Sequence, residues 1–313
     1  MQDKKVVFMG TPQFSVPVLE KLIEYTNVIA VVTQPDKEVG RKKVLTKSPV
    51  KLLAEQHNIL VLQPRRLRKE YQAIIDLQPD IIITCAYGQI LPLELLDSPP
   101  YKTINVHASL LPKLRGGAPI HHAILAGENE TGITIMKTDV GMDSGPIIAK
   151  KSLSITDKDT YDTLSAKLSK LGSELLIEVL PSIFAETCQY LPQKAEEVTF
   201  GYVIKREDEH LNFHTKAKDI YNHIRGLSSI PGAYAILDGK EWKIYASSIV
   251  PLDKEQKIEP GTIVKVSKEG IGVATSDDLI YLTDIKVEGK RRMAVKDYLN
   301  GVKKEELIGK KFS

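Results

Sequence analysis

The sequence predicts a mostly parallel α/β sheet with helices on both faces, followed by a smaller β-barrel domain. Continuous apolar runs alternate with amphipathic helix patterns in the first half, which is typical of buried parallel strands joined by right-handed crossovers in a Rossmann-like sheet. Shorter strands separated by Gly, Asp and Lys turns follow after residue 205, as in small antiparallel barrels. A length of 313 residues accommodates both domains.

The apolar runs that predict buried strands in the first domain are Lys5–Met9, Val28–Val32, Ile59–Leu62, Asp80–Cys85 and Thr131–Met136. Helices are expected over 16–23, 49–56, 70–76 and 160–184, and another begins near Pro119. We therefore expect domain boundaries at 1–187 for the catalytic domain, 188–205 for an aperiodic linker and 206–313 for the second domain.

The N-terminal strand and turn resemble those of a nucleotide fold, but the glycine pattern differs. After Gly10 no glycine follows until Gly40, so G-x-G-x-x-G is absent and a dinucleotide dehydrogenase is disfavoured. Hydrophobic content of 42% and charged content of 27% are ordinary for a globular protein. The chain contains no run of roughly 20 apolar residues, and its first residues lead directly into a predicted strand. We therefore expect neither a signal sequence nor membrane association, and we expect a cytoplasmic location.

The net charge of +3 matters less than its distribution. Six basic and two acidic residues lie between Asp36 and Lys51, and Arg65–Lys69 contains four basic residues. The tail from Lys286 to Ser313 has nine basic and four acidic residues. Each cluster alone is typical of a solvated surface, whereas the three together favour a polyanionic partner.

Three polar side chains follow one another at alternate positions of a predicted strand near residue 105. Every second residue from Ile104 is apolar, so Asn105, His107 and Ser109 are expected on the opposite face. A histidine exchanges protons near neutral pH, and a carboxylate such as Asp143, between glycines in a later loop, would orient its ring. An asparagine amide can donate to a developing oxyanion, so the set suits attack on a carbonyl carbon.

Other chemistries are disfavoured by spacing. Ser109 lies outside G-x-S-x-G, so it is expected to be a binding group, not a nucleophile. His121 and His122 are adjacent and would point about 100° apart on a helix, and H-E-x-x-H is absent, so no metal site is expected. Cys85 and Cys188 have no metal-ligand spacing, and neither a disulfide nor zinc is expected.

Four segments follow one another in the chain: Asn105–Pro112, Arg115–Ile120, Thr131–Thr134 and Asp139–Gly145. Together they resemble the core of the 10-formyltetrahydrofolate-dependent formyltransferases. The resemblance extends over essentially the whole chain. Three further segments narrow it to members that act on a charged tRNA: Gly10–Phe14, Thr33–Asp36 and Ser48–Lys51.

The resemblance implies transfer of a formyl group from 10-formyltetrahydrofolate to the amino group of methionine on the initiator tRNA. It assigns catalysis to Asn105, His107 and Asp143. It assigns the folate site to Ser109, Leu110, Leu111 and Pro112, with the 87–92 and 139–143 loops beside the pterin. It assigns tRNA contact to Arg41, Lys42 and Lys43 in the 36–49 loop, and it implies an OB-like second domain that holds tRNA. A monomer without a metal is expected.

Some positions depart from the family pattern. Ala108 stands where Gly is frequent and Leu114 where an aromatic residue is common; Lys42, Lys47 and the 228–231 turn also differ.

Alternative functions are formyl transfer to an amino sugar or to a small ribonucleotide amine. Two further alternatives are a formyltetrahydrofolate hydrolase and a nucleic-acid-binding protein with a degenerate site. The basic 36–49 loop and basic tail favour tRNA, and the intact polar set favours an enzyme.

Overall fold

A computed structural model of the protein describes residues 1–40, 43–252 and 258–313. The described chain forms two compact units. The first unit comprises 1–119, 130–154 and 165–202, and the second comprises 120–129, 155–164 and 203–313. Within those described ranges, no helix combines the length and apolar character needed to cross a membrane.

The regular elements up to residue 184 are β1 (Lys5–Gly10), α1 (Val16–Tyr25), β2 (Asn27–Val32), β3 (Lys37–Val39), β4 (Val44–Thr46), α2 (Pro49–Gln56), β5 (Leu60–Leu62), α3 (Leu67–Glu70), α4 (Gln72–Ile75), β6 (Ile81–Cys85), α5 (Leu93–Asp97), β7 (Thr103–His107), α6 (Pro119–Leu125), β8 (Glu130–Lys137), β9 (Ile147–Ser154) and α7 (Tyr161–Phe184). Pro49 at the first position of α2 has no N–H to satisfy there, and the Ser48 hydroxyl caps the helix by accepting from the Lys51 N–H at 3.0 Å.

The first unit contains a seven-stranded sheet in the order β5-β2-β1-β6-β7-β8-β9. The first five strands of that order pair in parallel, and β8 and β9 add antiparallel, which confirms a mostly parallel sheet. Strands β1 and β6 lie at the centre of the sheet because they are apolar: every residue of β6 and all of β1 except Lys5 are buried. Strand β9 was not expected from the sequence, since its Lys150 and Lys151 interrupt the apolar pattern.

The second unit contains α8 (Ala217–Gly226), β10 (Ala233–Leu237), β11 (Lys240–Val250), β12 (Ile263–Ser267), β13 (Gly270–Ala274), β14 (Leu279–Val287), β15 (Met293–Ala294) and α9 (Val295–Tyr298). Its strands pair antiparallel in the order β10-β11-β14-β13-β12, with β15 beside β14. The predicted antiparallel second domain is confirmed.

Residues 309–313, which we call the closing segment, hydrogen-bond to both outer strands of this sheet. Ile236 of β10 exchanges two backbone hydrogen bonds with Ser313, at 2.8 and 3.0 Å. Ile263 of β12 donates to the Lys310 carbonyl at 2.8 Å, and the Phe312 N–H donates to the Gly261 carbonyl at 2.9 Å. The closing segment therefore joins the two ends of the sheet and pairs edges that would otherwise be open.

Aromatic side chains pack around Phe312 in the core of the second unit. The Phe312 ring lies 5.5 Å from Trp242 in an edge-on contact and 5.7 Å from Phe213 in a stacked contact, measured between ring centroids. Phe312 is 2% exposed and Trp242 is 3% exposed. The closing segment thus contributes a core side chain as well as backbone hydrogen bonds.

His121 is a half-buried imidazole of the second unit. It stacks on Tyr161, with ring centroids 3.9 Å apart, and its Nε2 lies 3.2 Å from the Ile230 carbonyl oxygen, to which the N–H donates. Burial lowers the pKa of His121 from its ordinary 6.5 to about 4. Its neutral ring is therefore part of the packed state.

We expect the second unit to lose stability as the pH falls from 6.5 to 4. Because the folded pKa of His121 is depressed, the unfolded chain binds the additional proton in this window, so the contribution is complete above pH 6.5. The loss should be about 1–3 kcal/mol. Urea unfolding at several pH values in this range gives the free energy of unfolding as a function of pH. That free energy should fall less steeply for His121→Phe than for wild type, whereas replacing the exposed His57 with Gln should leave its pH dependence unchanged. Equal slopes for wild type and His121→Phe would contradict the assignment.

Candidate active site

The site begins at the carboxyl ends of β6 and β7, which are adjacent in the sheet and parallel. Thr84 of β6 lies opposite Asn105 of β7, and its hydroxyl donates to the Asn105 Oδ1 at 2.9 Å. This contact leaves the Nδ2 group of Asn105 as the available donor. Within the described chain, no hydrogen bond from Nδ2 is formed. Asn105 can therefore donate an N–H to an incoming oxygen atom.

His107 ends β7 and is 6% exposed. Its Nε2 lies 3.1 Å from the Leu114 carbonyl oxygen. A carbonyl can only accept, so Nε2 carries the hydrogen and Nδ1 is left to exchange a proton. Nδ1 faces the Asp143 carboxylate, with its Oδ1 at 3.6 Å. This separation is too long for a direct hydrogen bond. The carboxylate nevertheless lies next to the ring as a proton acceptor.

Asp143 lies in the loop between β8 and β9, where the sequence places it between glycines. Its Oδ2 accepts the Gly116 N–H at 2.8 Å, so Oδ1 is the atom turned toward His107. The carboxylate is 19% exposed. The structure thus brings together His107 and Asp143, which are predicted site residues from separate parts of the sequence.

Two neighbours of the His107 ring have backbones in the left-handed region. Asp143 has a φ of +46° and Leu114, whose carbonyl accepts from His107, has a φ of +56°. This conformation costs about 1–2 kcal/mol for a residue with a side chain, although Asp tolerates it better than Leu. Strained residues of this kind are frequent at functional sites.

Gly116 is required for close packing next to Asp143. Its φ is +116°, and a Cβ at this position would lie 2.9 Å from the Gly201 carbonyl oxygen. The pairing of residues 115–118 with 199–201 explains this close approach: the Arg115 N–H donates to the Thr199 carbonyl, and the Ala118 N–H donates to the Gly201 carbonyl, both at 2.9 Å. A side chain at residue 116 would separate the two segments.

Ser109 does not share a strand face with Asn105 and His107, because β7 ends at His107 and the chain turns. Its hydroxyl donates to the Lys113 carbonyl at 2.6 Å and closes the turn. The buried Thr134 hydroxyl donates to the Ser109 carbonyl at 2.7 Å and accepts the Leu111 N–H at 3.0 Å. Ser109, Leu111 and Pro112 are buried in this turn, and Leu110 is half-buried.

The loop after β6 packs against the first turn of the chain. The Tyr87 carbonyl accepts from the Thr11 hydroxyl and from the Gln34 amide, each at 3.1 Å. Burial raises the pKa of Tyr87 to about 12, so its hydroxyl stays protonated at neutral pH. The Tyr87 hydroxyl forms no hydrogen bond in the part of the chain that is described.

The basic 36–49 loop contains an antiparallel hairpin of β3 and β4, which no pattern in the sequence predicted. Lys43 is exposed beside the hairpin, with its ammonium 4.0 Å from Glu38. Arg41 and Lys42 lie outside the described residues. At the base of the hairpin, the Lys51 ammonium contacts Asp36 at 2.7 Å and lowers the pKa of its carboxyl. This ion pair anchors the hairpin where it leaves the sheet.

Two supporting residues of the site were missed by sequence reasoning. Thr84 is the polar residue near the end of an apolar strand, a signal that could have identified it. Gln193 comes from an aperiodic segment, and no sequence pattern there could have identified it as a residue of the site. Its amide donates to the Asp143 and Gly145 carbonyls, each at 2.8 Å.

The first unit is an open α/β sheet, and an amide, an imidazole and a carboxylate lie near the carboxyl ends of its strands. This arrangement defines an enzyme suited to acid–base chemistry at a carbonyl. The sequence pattern of the formyl transferase family matches residues 4–180. The pattern of the formyl transferase C-terminal domain matches residues 203–303.

Relatives of known name cover nearly the whole chain. A methionyl-tRNA formyltransferase from Staphylococcus epidermidis is 50% identical over 309 residues, which is 98% of both chains. One from a Geobacillus species is 49% identical over 311 residues, covering 98% of this chain and 97% of the relative. The chain therefore belongs to the formyl transferase family, in the group of the methionyl-tRNA formyltransferases.

The fold is also that of more distant solved structures. An N-formyltransferase from Helicobacter canadensis, in complex with folinic acid and dTDP-3-aminofucose, superposes with a TM-score of 0.66. The match covers 89% of this chain and 98% of that chain at 22% identity. At this level of identity the comparison supports the fold alone.

Proposed function

We propose that the protein transfers the formyl group of 10-formyltetrahydrofolate to the amino group of methionine on charged initiator tRNA. The observation that carries the proposal is the 50% identity, over both domains, to relatives named for this acceptor. We place the reaction in the cytoplasm, where charged tRNA is used, and propose a monomeric enzyme. The boundaries 1–187, 188–205 and 206–313 remain our proposal for the domains.

In this proposal Asn105, His107 and Asp143 form the catalytic set. The donor supplies a formyl carbonyl whose carbon is attacked by the methionyl amine. The free Nδ2 of Asn105 donates to the formyl oxygen as negative charge develops on it. His107 uses Nδ1, since Nε2 is held by the Leu114 carbonyl, and takes a proton from the attacking nitrogen. Asp143 stabilises the resulting imidazolium from 3.6 Å. The bond between the formyl carbon and the donor nitrogen then breaks, and His107 returns its proton to that nitrogen as tetrahydrofolate leaves.

We assign the folate cosubstrate to the turn formed by Ser109, Leu110, Leu111 and Pro112. The assignment is supported by two hydrogen bonds that fix the backbone of this turn: the Thr134 hydroxyl donates to the Ser109 carbonyl, and the Ser109 hydroxyl donates to the Lys113 carbonyl. Leu110 is the least buried of the four side chains and is the one we expect to contact the cosubstrate. The buried Ser109 hydroxyl is used by the turn, so its contribution to binding would be through the backbone.

The alternative acceptors are an amino sugar and a small ribonucleotide amine. A formyl transfer assay with one donor and several acceptors distinguishes them. The acceptors are charged initiator tRNA, the same tRNA without methionine, free methionine, a nucleotide-linked amino sugar and a small ribonucleotide amine. We expect formylation of the charged tRNA only. Preferential formylation of the amino sugar would refute the proposed acceptor while leaving formyl transfer intact.

We propose that Arg41, Lys42 and Lys43 contact the phosphates of the tRNA acceptor end. Replacing all three with Ala should raise the KM for tRNA by about tenfold and reduce the slope of log KM against log salt, because fewer counterions are released. The KM for the folate donor should stay within about twofold, since phosphate contacts act on the tRNA alone.

The matched control is the double variant Lys167→Ala, Lys170→Ala, which removes exposed cations from α7. It should leave both KM values unchanged. An equal rise in the KM for folate and for tRNA in the triple variant would contradict the assignment of this loop to tRNA.

A further inference from the structure

The two residues that face the His107 ring nitrogens are both held in the left-handed backbone region. Leu114 accepts from Nε2, and Asp143 faces Nδ1. Residues with side chains leave this region when no contact holds them there. The contacts that hold Leu114 and Asp143 therefore determine the position of the catalytic imidazole and of its carboxylate partner.

Gln193 makes such a contact with the Asp143 loop. Its Nε2 donates to the carbonyls of Asp143 and Gly145, each at 2.8 Å. Its Oε1 accepts from Arg115, at 3.1 Å from Nε and 2.8 Å from Nη2. All four hydrogen-bonding positions of the amide are used, and the opposite orientation would place its NH2 against the guanidinium. The Gln193 side chain therefore ties the Asp143 loop to the Arg115 turn.

Thr199 makes the corresponding contact with the Leu114 turn. Its hydroxyl accepts the Leu114 N–H at 2.9 Å, and its carbonyl accepts the Arg115 N–H at 2.9 Å. The Gly201 N–H then donates to the Arg115 carbonyl at 2.8 Å. Both left-handed residues are thus held by one segment, residues 193–201.

We infer that Gln193 and Thr199 are positioning residues of the proposed formyl transfer, acting on His107 through Asp143 and Leu114. The inference rests on the proposed function. Gln193 has the larger role because it is half-buried and makes four hydrogen bonds to three groups. Thr199 is exposed, so water can replace part of its contact.

The test compares the change in kcat with the change in KM, in variants whose new side chains have about the same size as the original ones. Gln193→Leu should lower kcat about 10- to 100-fold, since a displacement of about 1 Å at a catalytic group has this effect. The KM values for donor and tRNA should stay within about twofold, because Gln193 acts on the reacting step. Gln193→Glu should fail similarly, since a carboxylate cannot donate to the two carbonyls.

The Thr199 pair tests the same inference by rescue. Thr199→Val removes the acceptor for the Leu114 N–H and should lower kcat, but less than Gln193→Leu does. Thr199→Ser keeps the hydroxyl and should retain the wild-type kcat. The control is Lys194→Ala, next to Gln193, whose exposed ammonium pairs with Glu197 at 3.1 Å; its kcat should equal that of wild type.

Three results would overturn the inference: a wild-type kcat in Gln193→Leu, a change confined to KM, or equal impairment in Thr199→Val and Thr199→Ser. A crystal structure of Gln193→Leu gives a readout that does not depend on activity. We expect Asp143 to leave its φ of +46° and its Oδ1 to move away from His107; an unchanged loop would refute the inference. Failure of wild type to formylate charged tRNA would instead refute the proposed acceptor.

Discussion

Replacing Asp143 with Asn should lower kcat for formyl transfer by about 10²–10⁴-fold, the usual contribution of a general acid–base pair. The amide keeps an oxygen for the Gly116 N–H, so the loop geometry is preserved. It cannot supply the negative charge that stabilises a protonated His107 ring at 3.6 Å. His107→Ala should have an effect of the same order, since it removes the group that we propose moves the proton.

The double variant distinguishes a shared role from independent ones. In the proposed mechanism Asp143 acts through His107, so the double variant should be no slower than the slower single variant. Thermal unfolding should show that each variant is folded, so that the loss in kcat is chemical. Near-normal formylation by His107→Ala or Asp143→Asn would show that the proposed mechanism is wrong, and multiplicative losses would show that the two residues act separately.

Phe312→Ala should lower the free energy of unfolding of the second unit by about 3–5 kcal/mol, the range for truncating a buried aromatic side chain. The ring is 2% exposed and contacts Trp242 and Phe213, so its removal leaves a cavity in the core. The loss also weakens the segment that joins β10 and β12. Trp242 is the one tryptophan of the chain, so its fluorescence during urea unfolding reports on this unit.

The matched control is Ile308→Ala, which lies four positions before Phe312 and is 51% exposed. It should change the free energy of unfolding by less than about 0.5 kcal/mol, as is usual for surface positions. Phe312→Leu should give an intermediate loss, because it retains part of the apolar volume. If Phe312→Ala were as stable as Ile308→Ala, the closing segment would not be part of the core.

The elements that could be predicted from the sequence are those whose patterns are local. The buried runs of β1 and β6 predicted the parallel centre of the sheet, and Ser48-Pro49 marked the start of α2. The alternation of apolar and polar residues predicted the strand β7 that carries Asn105 and His107. Each of these signals depends on residues close together in the chain.

The parts that could not be predicted depend on contacts between distant residues. Strand β9 is charged and becomes a strand through its pairing with β8. Ser109 was expected beside His107, but a turn held by Thr134 changes its direction. Gln193 reaches the Asp143 loop from fifty positions away, and no local pattern marks a side chain that bonds to distant carbonyls.

The position of the closing segment also limits the order in which the second unit can fold during synthesis. Ser313 pairs with Ile236, so the two outer strands are joined only after every intervening strand has been made. Pairings between residues so far apart in the chain form slowly, and an open sheet exposes unpaired edges meanwhile. On the ribosome, the first unit can complete its sheet while the second is still open, so chaperone binding to the nascent chain should concentrate on the edges of β10 and β12.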